Sequence, residues 1–122
     1  MYSTPWGASQ NVTKIRRGVI SVMTAGHGGI GVSKALAEKT MPYEALHQNF
    51  GYCQSGYYWF EEDCLYCVPF YYNPEWFIDW MHAIGKIHID SIATGEGKEL
   101  YEKYILRTMN NFYKHLMKPA DV

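Results

Sequence analysis

The spacing of apolar residues changes between the two halves of this chain, and that change constrains the fold more than any other feature. Residues 9–15 alternate loosely, residues 16–18 (RRG) have the composition of a turn, and residues 19–24 are rich in β-branched side chains. This succession predicts an N-terminal β-hairpin. After Asn73 the apolar residues recur every three or four positions instead, which indicates helices with one apolar face.

Two helices are predicted in the C-terminal half. The first begins with Asn73 as its cap and Pro74 as its first helical residue, and the second covers residues 98–118 and ends before Pro119. Their apolar faces comprise Trp76, Phe77, Trp80, Met81 and Ile84 in the first helix, and Leu100, Tyr104, Ile105, Met109, Phe112 and Leu116 in the second. Helices of this kind bury one stripe against another layer of structure. The apolar area of these two helices exceeds what one small sheet face can cover, which predicts self-association through the helices.

The region after the hairpin carries weaker signals. Residues 25–29 are predicted to interrupt regular structure before a short strand at residues 30–32. Ser33 is a suitable cap for a short helix over residues 34–39, and Pro42 would open a further turn.

The middle of the chain is predicted as loop and strand. Residues 50–56 have loop composition, and the aromatic-rich residues 57–72 are predicted as one or two strands with Pro69 near an edge or an end. Residues 85–97 are predicted as a break. Strands therefore precede the two main helices, which predicts an α+β fold in which a small antiparallel β-sheet is packed by two C-terminal helices.

Bulk composition excludes several classes of protein. A chain of 122 residues predicts a single domain over residues 1–122, and 48% apolar against 19% charged residues excludes a disordered chain. A formal net charge of −1 supplies no basic field, so no DNA partner is expected. The absence of a long apolar run and of a basic, apolar start predicts no membrane association and a cytoplasmic location.

A glycine-rich segment is the first candidate site. Thr24 opens it, and Gly26, Gly28 and Gly29 surround His27. Glycines with φ > 0 form nests of backbone N–H groups that bind anions, and a histidine there could donate to a phosphate or act as a base. A tight turn between two strands, with a structural histidine, is the alternative.

An acidic segment, Glu61-Glu62-Asp63, is the second candidate. On a strand, Glu61 and Asp63 would share one face, where two carboxylates could act as an acid/base pair, hold a hard cation or accept ribose hydroxyls. If His27 approaches that face, a histidine–carboxylate pair results. A solvated strand edge is the alternative.

Three further residues complete the candidate ligand site. Trp6 lies on a turn and could stack on a base, or anchor the N-terminus in the core. Phe77 is a second candidate for stacking. Arg107, in the final helix, could bind a phosphate with its planar guanidinium group, or form a surface ion pair, although no acidic residue lies one turn away.

The cysteines point to no cofactor or metal. Cys64 and Cys67 have CxxC spacing, but structural zinc sites usually bring two such pairs, and here there is one. Buried reduced thiols are the preferred interpretation. No metal site, no cofactor and no catalytic residue is assigned, and the chain is expected not to be an enzyme.

Four blocks of sequence resemble a small uncharacterised family found in phages and plasmids. They are TPWG at residues 4–7, GVI at 18–20, TAGHGG at 24–29 and WFEEDC at 59–64. In size and layout the chain also resembles, more loosely, the first Thoeris anti-defence sponge family. That resemblance implies a phage protein that assembles through its helices and sequesters cyclic ADP-ribose-type signals.

Three hypotheses of function follow. The first is a non-catalytic sponge, a homodimer or higher homo-oligomer, that binds a nucleotide-derived immune signal through the glycines, Arg107, an aromatic ring and the carboxylates. The second is an inhibitor that binds a host defence complex through a tyrosine-rich surface. The third is a small hydrolase or transferase that uses His27 with Glu61 or Asp63.

Overall fold

The sheet is antiparallel throughout and has five strands. In a computed structural model of the protein, residues 2–47, 53–86 and 95–121 are described. The strands are β1 (Ser3–Thr4), β2 (Gly7–Ala8), β3 (Asn11–Arg16), β4 (Val19–Met23), β5 (Gly28–Ser33), β6 (Cys53–Gln54) and β7 (Tyr57–Glu61). β1 and β2 pair as a separate hairpin, and the main sheet has the order β3-β4-β5-β7-β6.

Helices lie between the strands as well as after them. They are α1 (Lys34–Thr40), α2 (Tyr43–His47), α3 (Cys67–Tyr72), α4 (Pro74–Ala83), α5 (Gly95–Leu100) and α6 (Arg107–Phe112). A π-helical segment, Tyr101–Leu106, joins α5 to α6 without a break. The C-terminal helices pack on the sheet, so the predicted α+β fold is confirmed. No helix in the described ranges is long and apolar enough to cross a bilayer.

The two faces of the sheet are covered differently. Side chains alternate between faces along each strand, so neighbouring positions enter different cores. The helix-side core receives Val19, Ile30, Val32, Tyr58 and Phe60 from the sheet. The opposite face carries Ile20, Val22 and Trp59, which are covered by Tyr2 and Trp6 of the N-terminal hairpin. The small β1–β2 hairpin therefore covers a second, minor core that consists of Ile20, Val22 and Trp59.

The prediction of strands throughout residues 57–72 is wrong in its second half. β7 ends at Glu61, the chain turns, and α3 begins at Cys67. Pro69 is the third residue of this helix, where its missing N–H breaks no intrahelical hydrogen bond. Because Cys67 and the four residues after it are all buried, no alternation of exposure distinguishes this helix from a strand.

The final helix also differs from its prediction. It begins at Gly95 and ends at Phe112, followed by two short 3₁₀ turns. Tertiary hydrogen bonds hold that tail: the Tyr72 hydroxyl donates to the Leu116 carbonyl at 2.5 Å, and the Tyr71 hydroxyl accepts from the Lys118 N–H at 2.8 Å. Of the loop expected at residues 50–56, residues 50–52 lie outside the described residues, and Cys53–Gln54 form the short edge strand β6. Most of the break expected at residues 85–97 also lies outside the described residues.

The monomer buries most of the apolar surface that was expected to require a partner. Trp76, Phe77, Ile105 and Met109 lie within the helix-side core, and Phe112 remains 59% exposed. The surplus of apolar area that favoured a dimer through the helices is therefore much smaller than the sequence indicates.

Candidate functional site

A cleft of about 460 Å³ opens between the helix-covered face of the sheet and the C-terminal helices. The turn after β7 contributes Glu62, Asp63 and Tyr66, and the final helix contributes Leu100 and Tyr104. α4 contributes Phe77, Trp80 and Met81, and Ile84 and Lys86 follow it. The apolar spacing of α4 thus serves two purposes, because Phe77 and Met81 pack into the core while Trp80 and Ile84 lie nearer the surface.

The aromatic wall of this cleft is held by contacts between rings. The Trp80 ring stacks on Phe70 with centroids 5.2 Å apart and an interplanar angle of 11°. Tyr66 meets Trp80 edge-on at 6.2 Å, and its hydroxyl donates to the Tyr104 carbonyl oxygen at 3.4 Å. Burial raises the pKa of Tyr66, so the hydroxyl stays protonated and remains a donor. The wall is therefore formed before any ligand arrives.

Two carboxylates and one ammonium group line the same cleft. The Glu62 N–H donates to the Gly28 carbonyl at 2.9 Å, which continues the ladder between β5 and β7 one step beyond Glu61. Glu62 therefore lies on the helix side of the sheet, beside Met23, and Asp63 follows it in the turn. Among the described residues that line the cleft, Lys86 is the one cation.

The glycine segment does not form the nest that the sequence suggests. Gly28 and Gly29 belong to β5, and neither they nor Gly26 have φ in the left-handed region, so the expected φ > 0 geometry is wrong. Thr24 closes the turn: its hydroxyl accepts from the His27 N–H at 3.2 Å and donates to the His27 carbonyl at 2.9 Å. The segment is a tight turn followed by a strand.

Packing explains the glycine at position 29. A Cβ atom there would clash with the Phe60 carbonyl oxygen and lie 2.6 Å from Cη2 of Trp6. Trp6 itself is half-buried and meets Trp59 edge-on at 6.0 Å. Trp6 and Gly29 therefore complement each other in the minor core, which is the anchoring role that was the alternative for Trp6.

His27 meets one of the two predicted carboxylates and not the other. Nδ1 of His27 lies 3.6 Å from a carboxylate oxygen of Glu61, and both side chains are substantially exposed. Glu61 lies on the hairpin side of the sheet, in line with Trp59, whereas Asp63 lines the cleft on the helix side. The expectation that Glu61 and Asp63 share one face is wrong, because the strand ends at Glu61.

The remaining predicted site residues are also dispersed. Phe77 is 1% exposed and packs edge-on against Phe70 and Tyr101, so it contributes the floor of the cleft. Arg107 is exposed on α6 and does not line the cleft. Trp80 and Tyr104 were assigned to helix stripes that face the core, although Tyr104 is 42% exposed. Two other residues of the cleft were not identified from the sequence. Tyr66 lies in a segment predicted as a strand, and no motif marks Lys86.

The three cysteines have different environments. Cys53 is exposed, Cys64 is half-buried and Cys67 is buried, with its thiol donating to Sδ of Met109 at 3.4 Å. Burial and the nearby Cys64 raise the pKa of Cys67 to about 12. Over the described ranges, no group of three or more His, Cys, Asp or Glu residues is placed to hold a metal ion.

Alkaline pH is expected to destabilise the fold through Cys67. Its pKa is raised from 9.0 to about 12 in the folded state, so the folded chain keeps a proton that the unfolded chain loses between those values. The stabilisation that this proton contributes is therefore fully present below about pH 9. As pH rises above 9, the free energy of unfolding falls by about 1.4 kcal/mol per pH unit. Urea unfolding at pH 8 and pH 10.5 measures this loss.

Cys67→Ala is the control for that experiment. The substitution lowers stability at both pH values but reduces the difference between them, because it removes the group whose pKa the fold raises. An equal pH dependence in the parent and Cys67→Ala proteins would assign the effect to the buried tyrosines instead. Tyr71 and Tyr113, whose pKa values burial raises to about 12, act in the same direction.

Comparison with known proteins adds a family and no activity. No curated protein and no solved structure matches the chain. A family model described as a domain of unknown function, DUF7007, matches residues 1–119, which include both cores and the cleft. The chain therefore belongs to the DUF7007 family.

Proposed function

We propose that the protein binds a small molecule in the cleft and does not transform it. The observation that carries this proposal is the combination, in one cleft of about 460 Å³, of a rigid aromatic wall with two carboxylates. Ligand sites are typically clefts of about 300–1,000 Å³, mostly apolar, with a few polar groups that orient the ligand.

The ligand proposed first is a nucleotide-derived immune signal of the cyclic ADP-ribose type. The resemblance to the Thoeris anti-defence sponges suggests this class, and with it a phage protein that sequesters the signal in the host cell. The cleft supports it chemically: Trp80 and Tyr104 offer surfaces for a planar base, and Glu62 and Asp63 offer acceptors for ribose hydroxyls. This assignment gives no role to Arg107 or to a nest of glycine N–H groups; Gly29 lines the cleft as a paired residue of β5.

Self-association remains part of the proposal, on a smaller surface than the sequence indicates. Phe112 of the final helix is a large apolar side chain that is 59% exposed and does not line the cleft. Isologous contacts between such patches form dimers by symmetry. Native mass spectrometry reports the number of subunits and any bound mass in one measurement.

A second candidate, a small hydrolase, rests on the pair formed by His27 and Glu61. A carboxylate 3.6 Å from Nδ1 can orient the imidazole and leave Nε2 as a base. The pair lies on the hairpin side of the sheet, away from the cleft. Turnover that His27→Ala abolishes would favour this candidate over sequestration.

Binding to the cleft is tested by a matched pair of tyrosine variants. We expect Tyr104→Ala to weaken binding of cyclic ADP-ribose isomers or adenine nucleotides about tenfold, because stacking of a base on an aromatic ring contributes about 1–3 kcal/mol. Tyr43→Ala removes a side chain that is 72% exposed and does not line the cleft, so it should leave binding unchanged. Calorimetric titration measures both affinities.

The same samples test sequestration against catalysis. After incubation, the recovered ligand should have its original mass, and its amount should match the number of binding sites. If no member of the panel binds, or if Tyr104→Ala binds as tightly as the parent protein, the proposed site is wrong.

A further inference from the structure

We infer that the cleft recognises the nucleoside part of its ligand and excludes phosphate groups. This inference rests on the proposed function, because it specifies which chemical groups of a nucleotide-derived ligand enter the site. It assigns the base to the aromatic wall and the sugar hydroxyls or ring amino groups to the carboxylates. Any phosphate stays at the mouth of the cleft.

Charge is the first reason. Glu62 and Asp63 outnumber Lys86, so the charged residues of the described lining carry a net negative formal charge. A phosphate placed among them would meet two like charges on exposed side chains, so the repulsion is modest and is screened by salt. The cleft therefore disfavours the group that an anion-binding site must favour.

The described arginines do not neutralise the negative charge of the cleft lining. Arg16 donates from Nε to the Asp79 carboxylate at 2.7 Å, which joins β3 to α4 at the surface. Arg17 lies in the turn between β3 and β4, and Arg107 does not line the cleft. Guanidinium groups, which bind phosphate most effectively because of their planar array of donors, are therefore absent from the described lining.

Two hydrogen-bond donors in the described lining are already engaged. The Glu62 N–H donates to Gly28, and the Tyr66 hydroxyl donates to the Tyr104 carbonyl. No nest of free backbone N–H groups replaces them, since Gly28 and Gly29 belong to a strand that is paired on both sides. Beside the side-chain donors of Ser21, Trp80, Tyr104 and Lys86, the described lining offers the carboxylates of Glu62 and Asp63 as acceptors, and these suit a ligand that carries hydrogen-bond donors.

A nucleoside meets these requirements. Its sugar hydroxyls and exocyclic amino groups donate hydrogen bonds, and carboxylates accept them more strongly than neutral acceptors do. Its base presents a planar apolar surface to Trp80 and Tyr104, and to the aliphatic Met81 and Ile84. A volume of about 460 Å³ lies in the lower part of the range for drug-sized ligands.

The test is calorimetric titration of the parent protein with adenosine, AMP, ADP and ADP-ribose at 20 and 200 mM salt. We expect adenosine to bind more tightly than AMP by about threefold to tenfold at low salt, from repulsion that salt screens. The difference should shrink at high salt, and adenosine affinity itself should change little.

Charge variants test the assignment. The Glu62→Gln/Asp63→Asn double variant should bind adenosine about tenfold more weakly, because amide groups accept less strongly than carboxylates, and should lose the preference for adenosine over AMP. Lys86→Gln should weaken AMP binding more than adenosine binding, because it removes the one cation of the described lining. Glu44→Gln, on α2 and outside the cleft, is the control and should change neither.

The outcomes separate this inference from the proposed function. Tighter binding of AMP, ADP or ADP-ribose than of adenosine, weakened by salt, would overturn the inference and leave the binding function standing. An unchanged adenosine affinity in a folded double variant would also overturn it. If none of the four compounds binds, the inference is wrong; if cyclic ADP-ribose isomers also fail to bind, the proposed nucleotide-derived ligand is wrong as well.

Discussion

Replacing Gly29 with alanine is expected to lower the free energy of unfolding by about 3 kcal/mol or more, close to the limit that a small domain tolerates. The new methyl group would clash with the Phe60 carbonyl oxygen, which is fixed in the ladder between β5 and β7. It would also lie 2.6 Å from the Trp6 ring. A backbone atom cannot rotate away as a flexible side chain can, so the strands must separate.

Gly26→Ala is the matched control for this prediction. No atom lies within 4 Å of the position that its Cβ would occupy, and its φ is outside the left-handed region. The change in stability should stay within about 0.5 kcal/mol, as for most surface substitutions. Urea unfolding followed by tryptophan fluorescence compares the two variants, and equal midpoints would show that the packing around Gly29 relaxes.

An added side chain at Gly28 would meet close contacts, as at Gly29 and unlike at Gly26. A Cβ at Gly28 would lie 2.5 Å from Sδ of Met23 and 2.8 Å from the Val22 carbonyl oxygen. A valine at this position would therefore disturb the sheet before it reached any ligand. Loss of ligand binding in Gly28→Val would not identify an anion site, because the fold itself is affected.

Trp59→Ala should cost about 3–5 kcal/mol and release the N-terminal hairpin. The Trp59 side chain is fully buried and makes ring contacts with Tyr2, Trp6 and Tyr57 at 6.4, 6.0 and 5.5 Å. Its Nε1–H donates to the Gln54 carbonyl at 2.8 Å. Because the minor core consists of few residues, removal of this ring leaves the β1–β2 hairpin with little to pack against.

Limited proteolysis reports this release separately from global unfolding. At a temperature where the variant remains folded by circular dichroism, a protease should cleave Trp59→Ala within the first ten residues and leave the parent protein intact. Trp59→Phe retains a ring but loses the hydrogen bond to Gln54, so it should show intermediate stability and an attached hairpin. Protection of the hairpin in folded Trp59→Ala would mean that β1 and β2 are held by other contacts.

The elements that were predicted correctly have local causes. The hairpin of β3 and β4 follows from a turn in which Gly18 has φ of 84°, a conformation that glycine adopts without strain. α4 begins at Pro74, whose fixed φ and missing N–H suit the first turn of a helix. α1 follows Ser33 as expected, although the Ser33 side chain makes no capping hydrogen bond.

The elements that were predicted incorrectly depend on contacts distant in sequence. α3 is buried on nearly all sides by the sheet and the final helix, so its composition carries no period. The final helix stops at Phe112 although the apolar spacing continues to Leu116, whose carbonyl accepts from the Tyr72 hydroxyl. In both cases the partners lie more than thirty residues away, and no window along the chain contains them.

The candidate site, like the fold, was predictable from the sequence only in part. The sequence by itself determined which residue types were available: the glycines, the acidic segment, the aromatic rings, and the hairpin and helix that hold many of them. Only the tertiary structure decided their grouping. It placed His27 with Glu61 on one side of the sheet and Asp63 with Tyr66 and Trp80 on the other. The physical reason is that adjacent side chains point to opposite faces only within a strand. The end of β7 at Glu61 depends on its pairing with β5 and not on the residue types near Glu61.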